Sequence, residues 1–289
     1  MRVTGFALAA GLLATALSSP ASAAAFFFST GDPDGRLAAA SRPSGPAGVE
    51  TETGDDFVLT QTTKLTSATF TGLLPTGASL GDITNVIVEI YRVFPKDSND
   101  PPSGNVPTRV NSPSDVAFTS RDASAGDLTF TPGIVNPSFT ANNSVVNGIH
   151  PLPGVFTGGE GPVTGQEVSF NLLFSDAITL AADHYFFVPQ VQLANGDFLW
   201  LSAPKPIVAP GTPFPPGSTD LQAWIRNENL APDWLRIGTD ITHQDPFNMA
   251  FTLTGEDVVA VPEPASWALM LVGLGTAGAL LRHRVRRLA

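Results

Sequence analysis

The sequence predicts an all-β fold, a two-sheet antiparallel β-sandwich of jelly-roll type, on three grounds. Short runs of β-branched and aromatic residues recur with a period of two, turn residues separate them at short intervals, and no long amphipathic helical pattern interrupts them. Nineteen phenylalanines, spread along the chain without a fixed repeat, supply a packed core, and 27 glycines with 26 prolines among 289 residues stay below the level of a low-complexity chain.

Residues 26–28, three phenylalanines, form a short edge strand, and Gly31-Asp32-Pro33-Asp34-Gly35 a turn. Residues 38–54, rich in Ser, Pro, Gly and Ala, read mostly as loop. Strands follow at 56–59 and 64–73, where Thr62, Thr63, Thr66, Thr69 and Thr71 suit a pleated surface. The strongest strand is 86–94: Val86, Val88 and Ile90 share one face and Ile87, Tyr91 and Val93 the other, so both faces are covered and the strand is expected to lie centrally. Residues 96–106 read as loop, 116–118 and 128–130 as short strands around the polar segment 120–126, and 136–164 mostly as loop. Residues 168–172 alternate with the even-numbered side chains facing the core. Residues 185–193 and 198–201 flank Asn195-Gly196, a type I′ hairpin signal that pairs Leu193 with Phe198 and Val191 with Trp200. Six prolines make 204–216 an irregular crossing, and 221–225 and 234–237 are weak strand or short helical segments. The domain closes with Phe247, Met249, Phe251 and Leu253 pointing inward, and after Gly255 the chain reads as linker.

Both ends carry segments of a different kind. Arg2, an apolar core from Phe6 to Leu17 and the small-residue pattern Ala21-Ser22-Ala23 read as a secretory signal helix, residues 1–23, removed after Ala23. At the other end Val261-Pro262-Glu263-Pro264 closes a linker, 257–264. An apolar run over 265–281 and a basic tail, 282–289, with Arg282, Arg284, Arg286 and Arg287, follow. Seventeen apolar residues span about 25 Å as a helix, enough for one transmembrane helix with local thinning, and the arginines hold the tail on the cytoplasmic side. The part between, 24–256, is one exported β-sandwich domain.

The order Pro-Glu-Pro, single apolar helix, terminal arginines resembles the PEP-CTERM sorting signal of Gram-negative bacteria. The resemblance covers about the last tenth of the chain and implies recognition by an exosortase, cleavage near the motif, and delivery to the surface or to exopolysaccharide. The two prolines forbid helix at that point and hold Glu263 extended and accessible. Sec machinery and exosortase are the partners expected, with the membrane engaged transiently through the C-terminal helix.

Composition bounds the rest. Between the signal helix and the apolar run, residues 24–264 carry 26 acidic against 10 basic residues, a net of −16, which opposes phosphate binding and excludes nucleic acid as a partner. Without cysteine there is no disulfide and no thiolate metal site. Asp32 and Asp34 stand two apart at a turn, a spacing at which two carboxylates can face one hard cation, so calcium is the one cofactor considered; ordinary turn carboxylates are the simpler account. Trp200, Trp224 and Trp234 could stack on sugar rings if exposed, whereas tryptophan in a sandwich is usually core. His150, His184 and His243 share no motif, HExxH and GxSxG are both missing, and Asp183-His184 could only begin a catalytic pair. Glu160 and Glu167 sit in glycine-rich, loop-like sequence that implies a solvated role. The threonines have no constant period along the chain, which argues against a ranked Thr-x-Thr surface of the ice-binding kind.

These observations point to an exported, non-enzymatic sandwich at the cell surface or in extracellular polysaccharide, serving as a matrix or carbohydrate-binding component. A secreted polysaccharide hydrolase and a purely structural surface protein are the alternatives.

Overall fold

The structure, a computed structural model, describes residues 23–45, 48–149, 152, 154–258 and 273–276. Residues 1–22 of the signal segment, Ala21 among them, the motif Val261 to Pro264, the tail arginines and His150 lie outside the described residues. Residues 273–276, within the anticipated span, are helical; among the described residues no helix is long and apolar enough to cross a membrane. Residues Ala24–Val258 form one compact unit.

Its strands are, in chain order, β1 Ala25–Ser29, β2 Ala38–Ala40, β3 Thr51–Leu59, β4 Thr63–Pro75, β5 Ile83–Arg92, β6 Thr119–Asp122, β7 Leu128–Ala141 and β8 Ser144–Val145. Then come β9 Val163–Leu180, β10 Asp183–Leu193, β11 Leu199–Ala203, β12 Trp224–Asn227, β13 Leu235–Arg236, β14 Asn248–Met249 and β15 Phe251–Asp257. They form two sheets. A nine-stranded sheet is built around β4, which pairs along its length with β9 and on its other side with β15 and then β11; β1, β2, β7, β8 and β14 complete it. A six-stranded sheet has the order β13-β12-β3-β10-β5-β6. All pairs are antiparallel except β2 with β8.

One core lies between the sheets. Alternation in β9 buries Val168, Phe170 and Leu172, as the sequence predicts, and continues through Phe174, Ile178 and Leu180. Phe70 and Phe170 are registered partners on β4 and β9, and their rings stack at 4.8 Å with 3° between planes. The Phe198 ring packs edge-on against both, at 5.8 and 5.3 Å. That ring also explains Gly72: a Cβ there would lie 2.2 Å from it. Phe247, Met249, Phe251 and Leu253 are all buried, as their spacing predicts.

Four expectations need correction. The hairpin at Asn195-Gly196 does not form. Gly196 does turn, at φ +81°, but β10 stays in the six-stranded sheet between β3 and β5 while β11 crosses to β4 and β2. Both hydrogen-bonding edges of β10 are occupied, by β3 and β5, so β11 finds no edge there and pairs with β4 and β2. Residues 38–40 are a strand rather than loop, because three alanines are small enough to lie fully buried between β11 and β8. The short strand placed at 116–118 falls instead at β6, and β7 runs on through Pro137 to Ala141 as an outer strand, where a missing N–H costs no ladder bond. Finally, β5 is covered on both faces but lies second from the edge, since its outer face is roofed by a loop rather than by another sheet.

Candidate functional site

The outer face of the nine-stranded sheet is mostly polar over β1, β15 and the adjoining parts of β4, β9 and β7, and apolar toward β11 and β2, where Leu73, Leu199, Leu201, Ala38 and Ala40 cluster. Registered pairing places Thr131, Asn171, Thr69, Thr252 and Ser29 in one rank across β7, β9, β4, β15 and β1, and Thr129, Leu173, Ser67, Thr254 and Phe27 in the next. Neighbouring strands stand about 4.8 Å apart and ranks about 7 Å apart. Within the first rank Thr69 donates to Asn171 at 3.2 Å and Thr252 to Ser29 at 2.9 Å. Threonines without a period along the chain thus come into rank across it, which a linear reading does not reveal. Phe27, 55 % exposed, is the aromatic that this face presents.

The face dips into a recess of about 430 Å³ floored by Thr69, Thr71 and Ser169, with Asp32, Glu167 and Val135 in its wall. The turn after β1 supplies Asp32. It is pinned on one side by the Thr30 hydroxyl, which donates to Met249 O at 2.6 Å. On the other side Asp34 accepts from Ser202 Oγ at 2.5 Å and from Arg36 N at 3.0 Å. Asp34 Oδ1 is therefore spent on the turn itself, and of the two aspartates Asp32 is the one that lines the recess. Glu167 comes from β9, opposite Asn136, where β7 twice shifts register and opens the sheet's outer side. Its sequence context suggested a solvated loop; instead it sits in a strand at 7 % exposure, with no hydrogen bond or ion pair from any described residue. Burial, and then the neighbouring Asp32, push its carboxyl above the usual range. Glu160, by contrast, accepts from the backbone N–H groups of Val146, Asn147 and Gly148 and holds a loop.

A second constellation lies on the outer face of the six-stranded sheet and is closed to solvent. Arg226 is paired with Glu52, donates to Tyr91 Oη at 2.9 Å and to Asp115 O at 3.0 Å, and lies 4.4 Å over the Trp234 ring. Tyr91 Oη is 2.5 Å from Glu52 Oε1 and 3.0 Å from Glu89 Oε2. One phenolic proton serves one acceptor, so a protonated Glu89 can donate back, and burial followed by the Glu52 charge pushes its carboxyl up to about 8. Nearby, Asp55 accepts from Met249 N at 2.8 Å with its other oxygen unpartnered, and burial followed by Asp56 drives its carboxyl well above normal. Asp56 accepts from Leu221 N at 3.1 Å and meets His184 Nε2 at 2.5 Å. His184 thus pairs with Asp56 on a neighbouring strand, not with Asp183, and His243 packs on Phe156 at 4.6 Å.

A carboxyl raised in the folded state stabilises fully below its unfolded value, here 4.5, and loses that contribution as pH rises through about 8. Glu89→Gln is therefore expected to match the parent near pH 4.5 and to exceed it by roughly 1–3 kcal/mol at pH 8. Urea unfolding at the two pH values measures this.

The three tryptophans are at most 2 % exposed. Trp200 lies between the sheets, donating to Ala250 O at 2.9 Å, and Trp224 and Trp234 lie under the roof of the six-stranded sheet. Their inward setting favours a scaffolding role. Among the described residues no group of three or more His, Cys, Asp or Glu is placed to hold a metal ion. Glu52 and Arg226 escaped the sequence reading because they are 174 positions apart. The one available signal was Glu89 inside a strand apolar on both faces, since a carboxylate there needs buried partners.

No curated protein and no solved structure matches the chain. Residues 260–287 match the family model of the PEP-CTERM protein-sorting motif, spanning Val261 to Pro264 and all four tail arginines. On that match the chain carries a PEP-CTERM protein-sorting motif, which indicates an exported protein sorted through an exosortase.

Proposed function

We propose that the protein is a non-catalytic surface or matrix component that engages a polyhydroxylated polymer, such as exopolysaccharide, through the outer face of its nine-stranded sheet. The observation that carries this reading is the rank of hydroxyl and amide side chains that borders the recess, with exposed Phe27 in the adjacent rank. Hydroxyls and carboxylates there can exchange hydrogen bonds with sugar hydroxyls, and an exposed ring beside them can cover an apolar sugar face. The acidic surface keeps the exported protein solvated and favours neutral over strongly anionic glycans. In this reading Sec export removes the first 23 residues, the 265–281 helix anchors the precursor in the inner membrane, and exosortase delivers the mature protein to the surface.

Retention of the Ala24–Val258 unit on immobilised neutral polysaccharides tests the binding half. Thr69→Val with Thr252→Val is expected to weaken retention at least about tenfold, the scale of two lost hydrogen bonds. Absence of retention by the parent on any neutral or acidic glycan removes this half of the proposal. A polysaccharide hydrolase gains support from one observation, that Asp32 and a Glu167 of raised pKa share a recess. Release of new reducing ends from a retained polymer, lost in Glu167→Gln, would replace the non-catalytic reading with that one.

A further inference from the structure

Glu167 and Asp32 share a need that no neighbouring group meets. Glu167 is 93 % buried by its 7 % exposure, lies on the face of β9 that looks into the recess, and receives no donor. Asp32 receives none either, and no lysine or arginine lines the recess. The stem of Glu167 is enclosed while its carboxylate opens into the recess with no protein donor or counter-charge beside it, and the neighbouring Asp32 carboxylate makes a second negative charge there unfavourable. The other polar groups of the wall are the hydroxyls of Thr69, Thr71 and Ser169, and Ser29 beside them. Two anionic oxygen donors over a floor of neutral oxygens is hard-cation chemistry. Calcium accepts six to eight oxygens at about 2.3–2.6 Å in irregular arrangements and shares its shell with water, whereas magnesium demands a tight octahedron that an open recess does not impose.

We propose that the recess binds one calcium-class divalent cation between Asp32 and Glu167, completed by Ser/Thr hydroxyls and water. The site differs from the Asp32–Asp34 pairing suggested by the turn, since its second carboxylate comes from a strand 135 positions away. Two carboxylates rather than three or four set a weak affinity, on the order of 10⁻⁴–10⁻³ M, the range of extracellular calcium modules. It goes beyond the glycan reading and does not depend on it.

The test uses the full-length protein in detergent, stripped with chelator and titrated with calcium chloride. Calorimetry is expected to show one saturable site in the range above, and thermal unfolding a Tm rise of about 3–6 °C at ten times Kd. Glu167→Gln and Asp32→Asn are each expected to abolish the heat and the Tm rise while leaving the far-ultraviolet circular dichroism unchanged; exposed Asp32 provides the readout if Glu167→Gln does not fold. No saturable heat up to about 10 mM calcium overturns the proposal, as does a response that survives Asp32→Asn, or magnesium binding as tightly as calcium. Calcium binding without polysaccharide retention leaves the cation site standing and withdraws only the glycan reading.

Discussion

Replacing Arg226 with alanine is expected to destabilise the fold by about 3–5 kcal/mol, the scale of breaking a buried ion pair by removing one partner. Glu52, 4 % exposed, would be left without its counter-charge, and Tyr91 and the Asp115 carbonyl would lose a donor. The guanidinium also fills the space over Trp234, so packing is lost along with charge. Urea unfolding at pH 7 gives the magnitude. The sharper measurement is the cycle with Glu52→Gln: removing both charges together is expected to cost clearly less than the sum of the single changes, because neither variant partner is then stranded. Additive costs would show that the pair is no more than two separate packing residues.

Phe170→Ala is expected to cost about 3–5 kcal/mol, from lost transfer energy and from the cavity left behind. Phe170 is fully buried, and its neighbours Phe70 and Phe198 are held by β4 and β11 in the same sheet, so little collapse into the space is available. A lowered denaturation midpoint at unchanged m value is the expected signature. A changed m value would mean that the ring stack also shapes the unfolded ensemble.

Local pattern was legible wherever one face of a strand is wet. The alternation at 168–172 and 251–253 placed the right side chains inside because a period of two leaves only two choices. Partner choice was not legible. Residues 185–193 and 199–203 are apolar on both faces, so alternation carries no information about which sheet each joins, and a correct turn residue at Gly196 joins strands that part company. The same limit applies to the site. Asp32 could be read as a turn carboxylate, and Glu167 could not be read as its neighbour, because the contact depends on β9 lying beside β4 and on the register shifts of β7 opposite it. The C-terminal sorting motif was readable for the opposite reason: it acts through composition and order along the chain.

The edge strand β1 opens the Ala24–Val258 unit and pairs with β15, the last strand of that unit. Asp257 N donates to Ala24 O at 2.8 Å, and Thr252 meets Ser29 across 223 positions. Pairing across so long a stretch of chain leaves the first strand unpaired until the last has been made. The edge of the sheet is therefore sealed only once the whole unit has been made, and its first and last strands finish side by side.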